Sequence, residues 1–257
     1  MTLPDVPDSF EWIDESWGAA LRCKPLHERA PHLFSTRQLE LMAGQLQQLA
    51  ADVGTSDVVL LTQVHGNDVA VIRDDSPAPS ERPRADAVVS NARDKAVAVR
   101  VADCVPLLVA DPKSGSVAAI HAGWRGTAAR VVPAAIDAMQ REFDARADAL
   151  IVAIGPSIRR CCYEVGSDVV DAFAAAGHER YLIDRWFVAP PARPGESRQK
   201  LRLDVAGSNR DQLILAGVRD ENIFDCDLCT AMHLDVLTSY RLEKEKAGRL
   251  FAAIACR

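Results

Sequence analysis

The sequence predicts an α+β fold built as one domain. Strand-like apolar runs follow one another through the middle of the chain instead of alternating strictly with helical patterns. Helical periodicity occupies a few segments around them. No repeat period and no long linker divides the 257 residues. A chain of this length buries roughly three quarters of the surface that its unfolded form exposes, so its core needs no disulfides.

Runs rich in valine, isoleucine and leucine at 58–64, 69–72, 87–90, 96–102, 105–110, 117–120 and 150–154 have the length and composition of buried strands. Later strands are expected at 223–226 and 250–255. Gly66-Asn67, Asp111-Pro112, Gly115, Gly123 and Gly155-Pro156 punctuate these runs as turns. The segment 127–143 is read as one amphipathic helix, with Val131, Val132, Ala135, Ile136 and Met139 on one side and Pro133 near its start. Further helices are expected at 38–52, 168–176 and 205–216, a mobile loop at 190–200, and an irregular extension over 1–30.

Composition narrows the function classes. Apolar residues make up 48% and charged residues 26%, which excludes wholesale disorder. A formal charge of −6 provides no electrostatic footprint for a nucleic-acid partner. No run of about 18 apolar residues offers a membrane span, and the acidic, proline-interrupted start is the opposite of a secretory signal. The expectation is a cytoplasmic protein acting on small molecules, with an oligomeric state that the sequence leaves open. In that compartment the seven cysteines read as buried thiols, ligands or nucleophiles rather than as bridges.

The informative pattern is positional. His65 follows the run 58–64, Cys104 follows 96–102 with Asp103 between, and His121 follows 117–120 directly. Strand ends that share one sheet edge bring distant residues together. Two imidazoles and a thiolate are the ligand set of a catalytic zinc site with its fourth position open to water. The same residues also fit a Cys–His nucleophile pair without metal, with Asp103 or another carboxylate orienting the imidazole. Spacing leaves both readings open. Downstream, His121-Ala122-Gly123-Trp124-Arg125-Gly126-Thr127 reads as a strand, a glycine turn, an arginine and a helix start, a combination suited to an anion. Cys226 and Cys229 are a single Cys-x-x-Cys pair and read as structural thiols, Cys161 and Cys162 as packing residues, and 241–246 as a solvated turn.

These stretches resemble the laccase-domain family, also called the polyphenol oxidase, peptidoglycan editing factor or purine nucleoside phosphorylase family. The resemblance rests on Thr62-Gln63-Val64-His65-Gly66, Ala85-Asp86-Ala87, Ala102-Asp103-Cys104-Val105-Pro106 and His121-Ala122-Gly123-Trp124-Arg125-Gly126. It continues through Gly155-Pro156-Ser157-Ile158, Cys162-Tyr163-Glu164-Val165-Gly166, Leu203-Asp204, Cys229-Thr230, Ser239-Tyr240-Arg241 and Gly248-Arg249, in the family's order from about Ser35 onward. It implies a single domain layered α/β/β/α, similar to Cys–His toxin deamidases, and a Zn2+ held by His65, Cys104 and His121. It further implies a zinc-dependent purine nucleoside phosphorylase acting on adenosine, inosine and methylthioadenosine with phosphate, and deaminating adenosine as a side activity.

Within that frame Cys104, His121 and Asp103 are the catalytic candidates, with Asp103 orienting a ligand or shuttling a proton. Arg37, which resembles the end of the family's Ser-Thr-Arg segment, and Arg125 are candidates for phosphate. Gln63, Tyr240 and Arg241 are candidates for lining the nucleoside pocket. Two departures stand out. The family's Gly-Gly-Val-Ser loop and Leu-Asn-Leu stretch after Arg37 are replaced by Gln38-Leu39-Glu40-Leu41, and Leu237-Thr238 replaces an aromatic pair. Two alternatives stand beside the phosphorylase: an amide hydrolase editing cell-wall peptide precursors, with Cys104 as nucleophile and His121 as base, and a degenerate binding member. Multicopper oxidase chemistry is excluded because it needs more than six histidines. A cytidine-deaminase zinc site is unlikely in a chain that lacks its His-x-Glu and following Pro-Cys-x-x-Cys.

Overall fold

The computed structural model describes residues 2–39, 44–75, 81–189 and 201–257. The chain opens with β1 (Phe10–Glu15), β2 (Gly18–Cys23), α1 (Lys24–His27), β3 (His32–Ser35), α2 (Gln45–Asp52) and β4 (Asp57–Leu60). It continues with β5 (Val69–Ile72), β6 (Ala87–Ser90), β7 (Lys95–Val101), β8 (Val105–Ala110), β9 (Val117–Ala122), α3 (Trp124–Ala128), α4 (Val131–Phe143) and β10 (Ile151–Ile154). It closes with β11 (Glu164–Val165), α5 (Ser167–Ala175), α6 (Arg180–Trp186), β12 (Phe187–Val188), β13 (Leu201–Leu203), α7 (Val205–Leu215), β14 (Ile223–Asp225), α8 (Tyr240–Glu243) and β15 (Leu250–Ile254).

Two six-stranded sheets form the body. The first runs β1-β2-β3-β15-β7-β4 and the second β14-β10-β8-β9-β6-β5, with β11-β13-β12 as a small third sheet. Side-chain alternation shows how they stack. In β7, Val97, Val99 and Val101 enter the core between the two large sheets, whereas Ala96 and Ala98 pack outward with Leu49 and Ala50 of α2. In β9, Val117 and Ala119 enter the same inter-sheet core, whereas Ala118 and Ile120 pack with Val132, Ile136 and Met139 of α4. The layers are therefore helix, sheet, sheet, helices, as expected. Both faces of the central strands are buried, so these strands read as continuous apolar runs. Each fully buried valine or isoleucine contributes about 1.5–3 kcal/mol relative to exposure.

Three expectations are corrected. Residues 1–30 are not irregular throughout. β1 and β2 pair antiparallel from Phe10↔Cys23 to Glu15↔Gly18, with Gly18, the first residue of β2, at φ +131°. Acidic residues and prolines hid this hairpin, and Glu11, Asp14 and Glu15 sit on an edge strand where charge discourages further pairing. The helix expected over 127–143 begins earlier, as α3, and breaks at Arg130, whose φ of 63° is left-handed. The break is held by the Arg130 guanidinium, which donates to the carbonyls of Ala176 and Gly177 at 2.6 and 2.8 Å. The strand expected over 58–64 ends at Leu60. Of the helix expected over 38–52, 45–52 is helical and 40–43 lies outside the described residues, as does the loop expected at 190–200.

Candidate metal centre and its cavity

The chain changes sheet twice beside the site. His65 lies on the crossing from β4 in the first sheet to β5 in the second, and Cys104 on the crossing from β7 to β8. His121 is inside β9, opposite Pro106 of β8, rather than past the strand's end. One ligand atom from each of His65, Cys104 and His121 lies within 4.8 Å of the others. The two imidazole rings meet edge to face, 4.9 Å apart at 81°. His65 is exposed, Cys104 half-buried and His121 buried, so the group opens to one side.

Gln63 explains how the first crossing is held. Its amide nitrogen donates to the Arg100 carbonyl at 2.8 Å, and its amide oxygen accepts the Arg100 N–H at 2.9 Å. The side chain thus supplies the rung that β4 itself no longer provides. Beyond it, His65 adopts φ 62°, and Asp103 on the other crossing adopts φ 85°. Non-glycine residues pay strain for left-handed backbone, and such strain gathers at functional sites.

Asp86 holds both halves of the group. Its fully buried carboxylate accepts the N–H groups of Val64, His65 and Gly66 at 3.2, 2.9 and 2.7 Å. It also meets His121 Nδ1 at 2.8 Å. Burial by itself would raise the carboxyl pKa, but the bonds from His121, Gly66 and His65 bring it below its ordinary value. The carboxylate can only accept, so the shared proton sits on His121 Nδ1 and leaves Nε2 free for the site. Asp86 takes the orienting role that the sequence suggested for Asp103. The latter accepts from Thr230 Oγ1 and the Arg241 N–H, both at 2.6 Å, and so ties the 230–241 segment to the crossing.

Gly123 is constrained by close approach. A Cβ there would lie 2.9 Å from Cys104 Sγ and 3.1 Å from His65 Cδ2. Burial pushes the Cys104 thiol up, but the facing His121 and His65 more than offset it and set the thiol at about 6. The same pairing, with Asp86, raises His121 to about 9 against its burial. Two imidazoles and a readily formed thiolate are a donor set that can hold a borderline-soft metal ion.

The group opens into a cavity of about 700 Å³, whose lining includes Gln63, Arg100, Tyr240, Glu245 and Arg249. Tyr240 is exposed, and its hydroxyl donates to Glu245 at 3.2 Å. The buried Arg100 Nε has no hydrogen-bond partner among the described residues. Its pKa is lowered by burial and by nearby Arg82 and Arg249, the mark of a cationic patch. The other arginines singled out from the sequence do not line this cavity and make contacts of their own. Arg37 donates to the Leu234 carbonyl and pairs with Glu243 at 3.1 Å. Arg125 is exposed and stacks its guanidinium 4.2 Å from the Trp124 ring centroid, within a helix of five residues. Arg241 donates to the Glu164 carbonyl and lies 5.0 Å from the Tyr163 ring. Sequence reasoning did not assign roles to Asp86, Arg100 or Arg249. The available signals were a carboxylate abutting a buried run for Asp86 and a cation interrupting one for Arg100.

The family model described as multi-copper polyphenol oxidoreductase laccase matches residues 38–257. The chain belongs to this family. It is 30% identical over 242 residues to a purine nucleoside phosphorylase of Bacteroides thetaiotaomicron, covering 92% of this chain and 84% of that protein. It is 34% identical over 226 residues to adenosine deaminase RL5 from an unknown prokaryotic organism, covering 85% and 81%. The crystal structure of YlmD from Geobacillus stearothermophilus superposes with a TM-score of 0.79 at 26% identity, over 98% of this chain and all of that one. Among the described residues, no helix is long and apolar enough to cross a membrane.

Proposed function

We propose that the protein is a zinc-dependent purine nucleoside phosphorylase that also deaminates adenosine. The observation that carries this reading is that one cavity joins the His65, Cys104 and His121 group to Arg100, Arg249 and Tyr240. The names of the relatives, purine nucleoside phosphorylase and adenosine deaminase, supply the substrate class.

His65, Cys104 and His121 would hold the zinc, and when bound it would supply Lewis-acid polarisation at neutral pH. The remaining work falls to the chain. Arg100 and Arg249, which line the cavity, receive the phosphate. The exposed Tyr240 ring offers a face for the purine. Asp86 keeps the proton on His121 Nδ1 and the ring in place. In phosphorolysis a phosphate oxygen bonds to ribose C1′ as the bond from C1′ to the base nitrogen breaks. Its electron pair leaves with the base, which takes up a proton. The guanidinium groups orient the attacking phosphate. Their charge stabilises it as it is drawn out of water.

A second reading is favoured by one specific arrangement. Cys104, His121 and Asp86 stand in the order of nucleophile, base and orienting acid, the geometry of an amide hydrolase. Inosine and adenosine assayed with and without phosphate, following free base and ribose 1-phosphate, separate the two. Phosphorolysis requires base release only with phosphate, with ribose 1-phosphate in equal amount. Base release that persists without phosphate indicates hydrolysis. No nucleoside turnover together with cleavage of a muramyl peptide precursor makes the amide hydrolase the correct reading.

A further inference from the structure

Cys161, Cys162 and Cys229 converge in space although 66 residues lie between the second and the third. Cys229 is brought there by the sheet and its loops. Parallel β10 and β14 are followed by an isolated bridge between Ser157 and Cys229, with Ser157 N–H on the Leu228 carbonyl and Thr230 N–H on the Ser157 carbonyl. The turn after Ser157 then folds back over it. Cys162 and Tyr163 both donate their N–H to the Arg159 carbonyl, while Arg159 N–H points at Cys229 Sγ at 3.4 Å. The sequence reads Cys161 and Cys162 as packing residues and Cys229 as a structural thiol; the structure brings the three together.

All three thiols are free, and their sulfurs lie within 4.8 Å of one another, with Cys161 and Cys162 at 3.5 Å. Three thiolates around one ion at about 2.3 Å would sit roughly 3.8–4.0 Å apart, whether tetrahedral or trigonal. The Cys161–Cys162 separation is slightly below that value and the other two are at most 4.8 Å, so small side-chain shifts suffice to close the site. Cys161 is exposed, Cys162 half-buried and Cys229 buried, so an ion could enter from solvent and be held on its inner side. Cys161 and Cys229 line a cavity of about 500 Å³ that shares no lining residue with the one over Cys104. Arg160 lines the same cavity, and a divalent ion on three thiolates would carry one net negative charge beside it.

We propose that Cys161, Cys162 and Cys229 form a second metal site, which takes a thiophilic d10 cation, zinc(II) or copper(I), on three thiolates. Binding forms three metal–sulfur bonds and releases three protons to solvent, with no redox change. The ion would pin the 157–163 turn to the 226–230 segment. Both touch Asp103 beside Cys104: the Asp103 carbonyl accepts Ile158 N–H, and its carboxylate accepts Thr230 Oγ1. The second ion would thereby brace the wall of the first cavity. This proposal is independent of the reaction assigned to that cavity.

Titration of the full, reduced chain with cadmium(II), zinc(II) and copper(I), followed by thiolate charge-transfer absorption and mass under native conditions, tests it. Cys104→Ala should retain one ion of the probe, with a charge-transfer band about three times that of a one-thiolate site. The triple variant C161S/C162S/C229S should lose that ion. Cys161→Ser, at an exposed position, should keep the fold and lower the band by about a third. Uptake of cadmium and zinc identifies a divalent site, and uptake of copper(I) alone a monovalent one; either supports the proposal. It fails if Cys104→Ala binds none of the three ions, or if Cys161→Ser titrates like its parent. A Cys161–Cys162 disulfide forming in air, with no ion taken up by the reduced protein, would also overturn it.

Discussion

Asp86 and His121 share a proton across 2.8 Å, and the same carboxylate gathers the backbone N–H groups of residues 64–66. One buried side chain therefore sets the tautomer of one histidine and the backbone carrying the other. Replacing it should disturb both without touching either directly. Asp86→Asn keeps the volume but turns an amide N–H₂ toward groups that donate. Metal affinity, measured by chelator competition, should fall about 10- to 100-fold, as for other groups that orient metal-bound histidines. Unchanged affinity would show that the two histidines are held by packing alone.

Gly123 tests the close approach. In Gly123→Ala the new Cβ would come too close to Cys104 Sγ for the sulfur to stay in place and would press on His65 Cδ2. The variant should fold, with a far-ultraviolet circular dichroism spectrum like the parent's, because the two sheet cores lie elsewhere. Its metal content after purification should drop. Full occupancy would mean that the ligands can relax away from β9 at little cost.

Arg100 separates the phosphate reading from a purely structural one. Its contacts with Gln63 are made by backbone atoms, so Arg100→Gln should leave that clamp intact. Loss of a charge-assisted hydrogen bond should weaken apparent phosphate affinity by about 1.5–3 kcal/mol. Adenosine deamination, which uses water, should change less. A phosphate saturation curve that coincides with wild type would remove Arg100 from the site. Arg37→Ala and Arg125→Ala should shift that curve less than Arg100→Gln, since neither lines the cavity that Arg100 lines and Arg37 is paired with Glu243.

After chelation, the Cys104 and His121 pair makes a signed prediction for pH. The Cys104 pKa lies below its ordinary value, so its contribution to stability is present at high pH and is lost as pH falls through about 6. The His121 pKa lies above its ordinary value, so its contribution is present at low pH and is lost as pH rises through about 9. The pair should therefore stabilise the chelated protein between about pH 6 and 9, and Cys104→Ala should flatten the denaturation midpoint across that window. Within the same window Cys104 should alkylate ahead of Cys161, whose thiol burial and neighbouring cysteines push up to about 12. Peptide mapping after brief iodoacetamide treatment reads this order. Equal labelling would contradict the thiolate–imidazolium pair.

The sequence by itself determined the buried central strands, the family and the three residues that can share a metal, but not the β1–β2 hairpin or the small third sheet. Apolar runs report burial on both faces, and that property is local to each strand. His65, Cys104 and His121 were legible because each sits beside such a run. The partners were decided by tertiary structure. Asp86 rather than Asp103 orients His121 because β6 lies next to β9 in the second sheet, while Asp103 turns toward Thr230 and Arg241. Cys229 lies beside Cys161 and Cys162 because a bridge beyond parallel β10 and β14 delivers it there. Arg100 lines the cavity over Cys104, whereas Arg37 pairs with Glu243 and Arg125 stacks on Trp124, and local sequence distinguishes none of these placements. Residue type and local pattern show which groups can do chemistry. Which of them meet depends on sheet order and on where the chain changes sheets, contacts between distant segments that no local periodicity encodes.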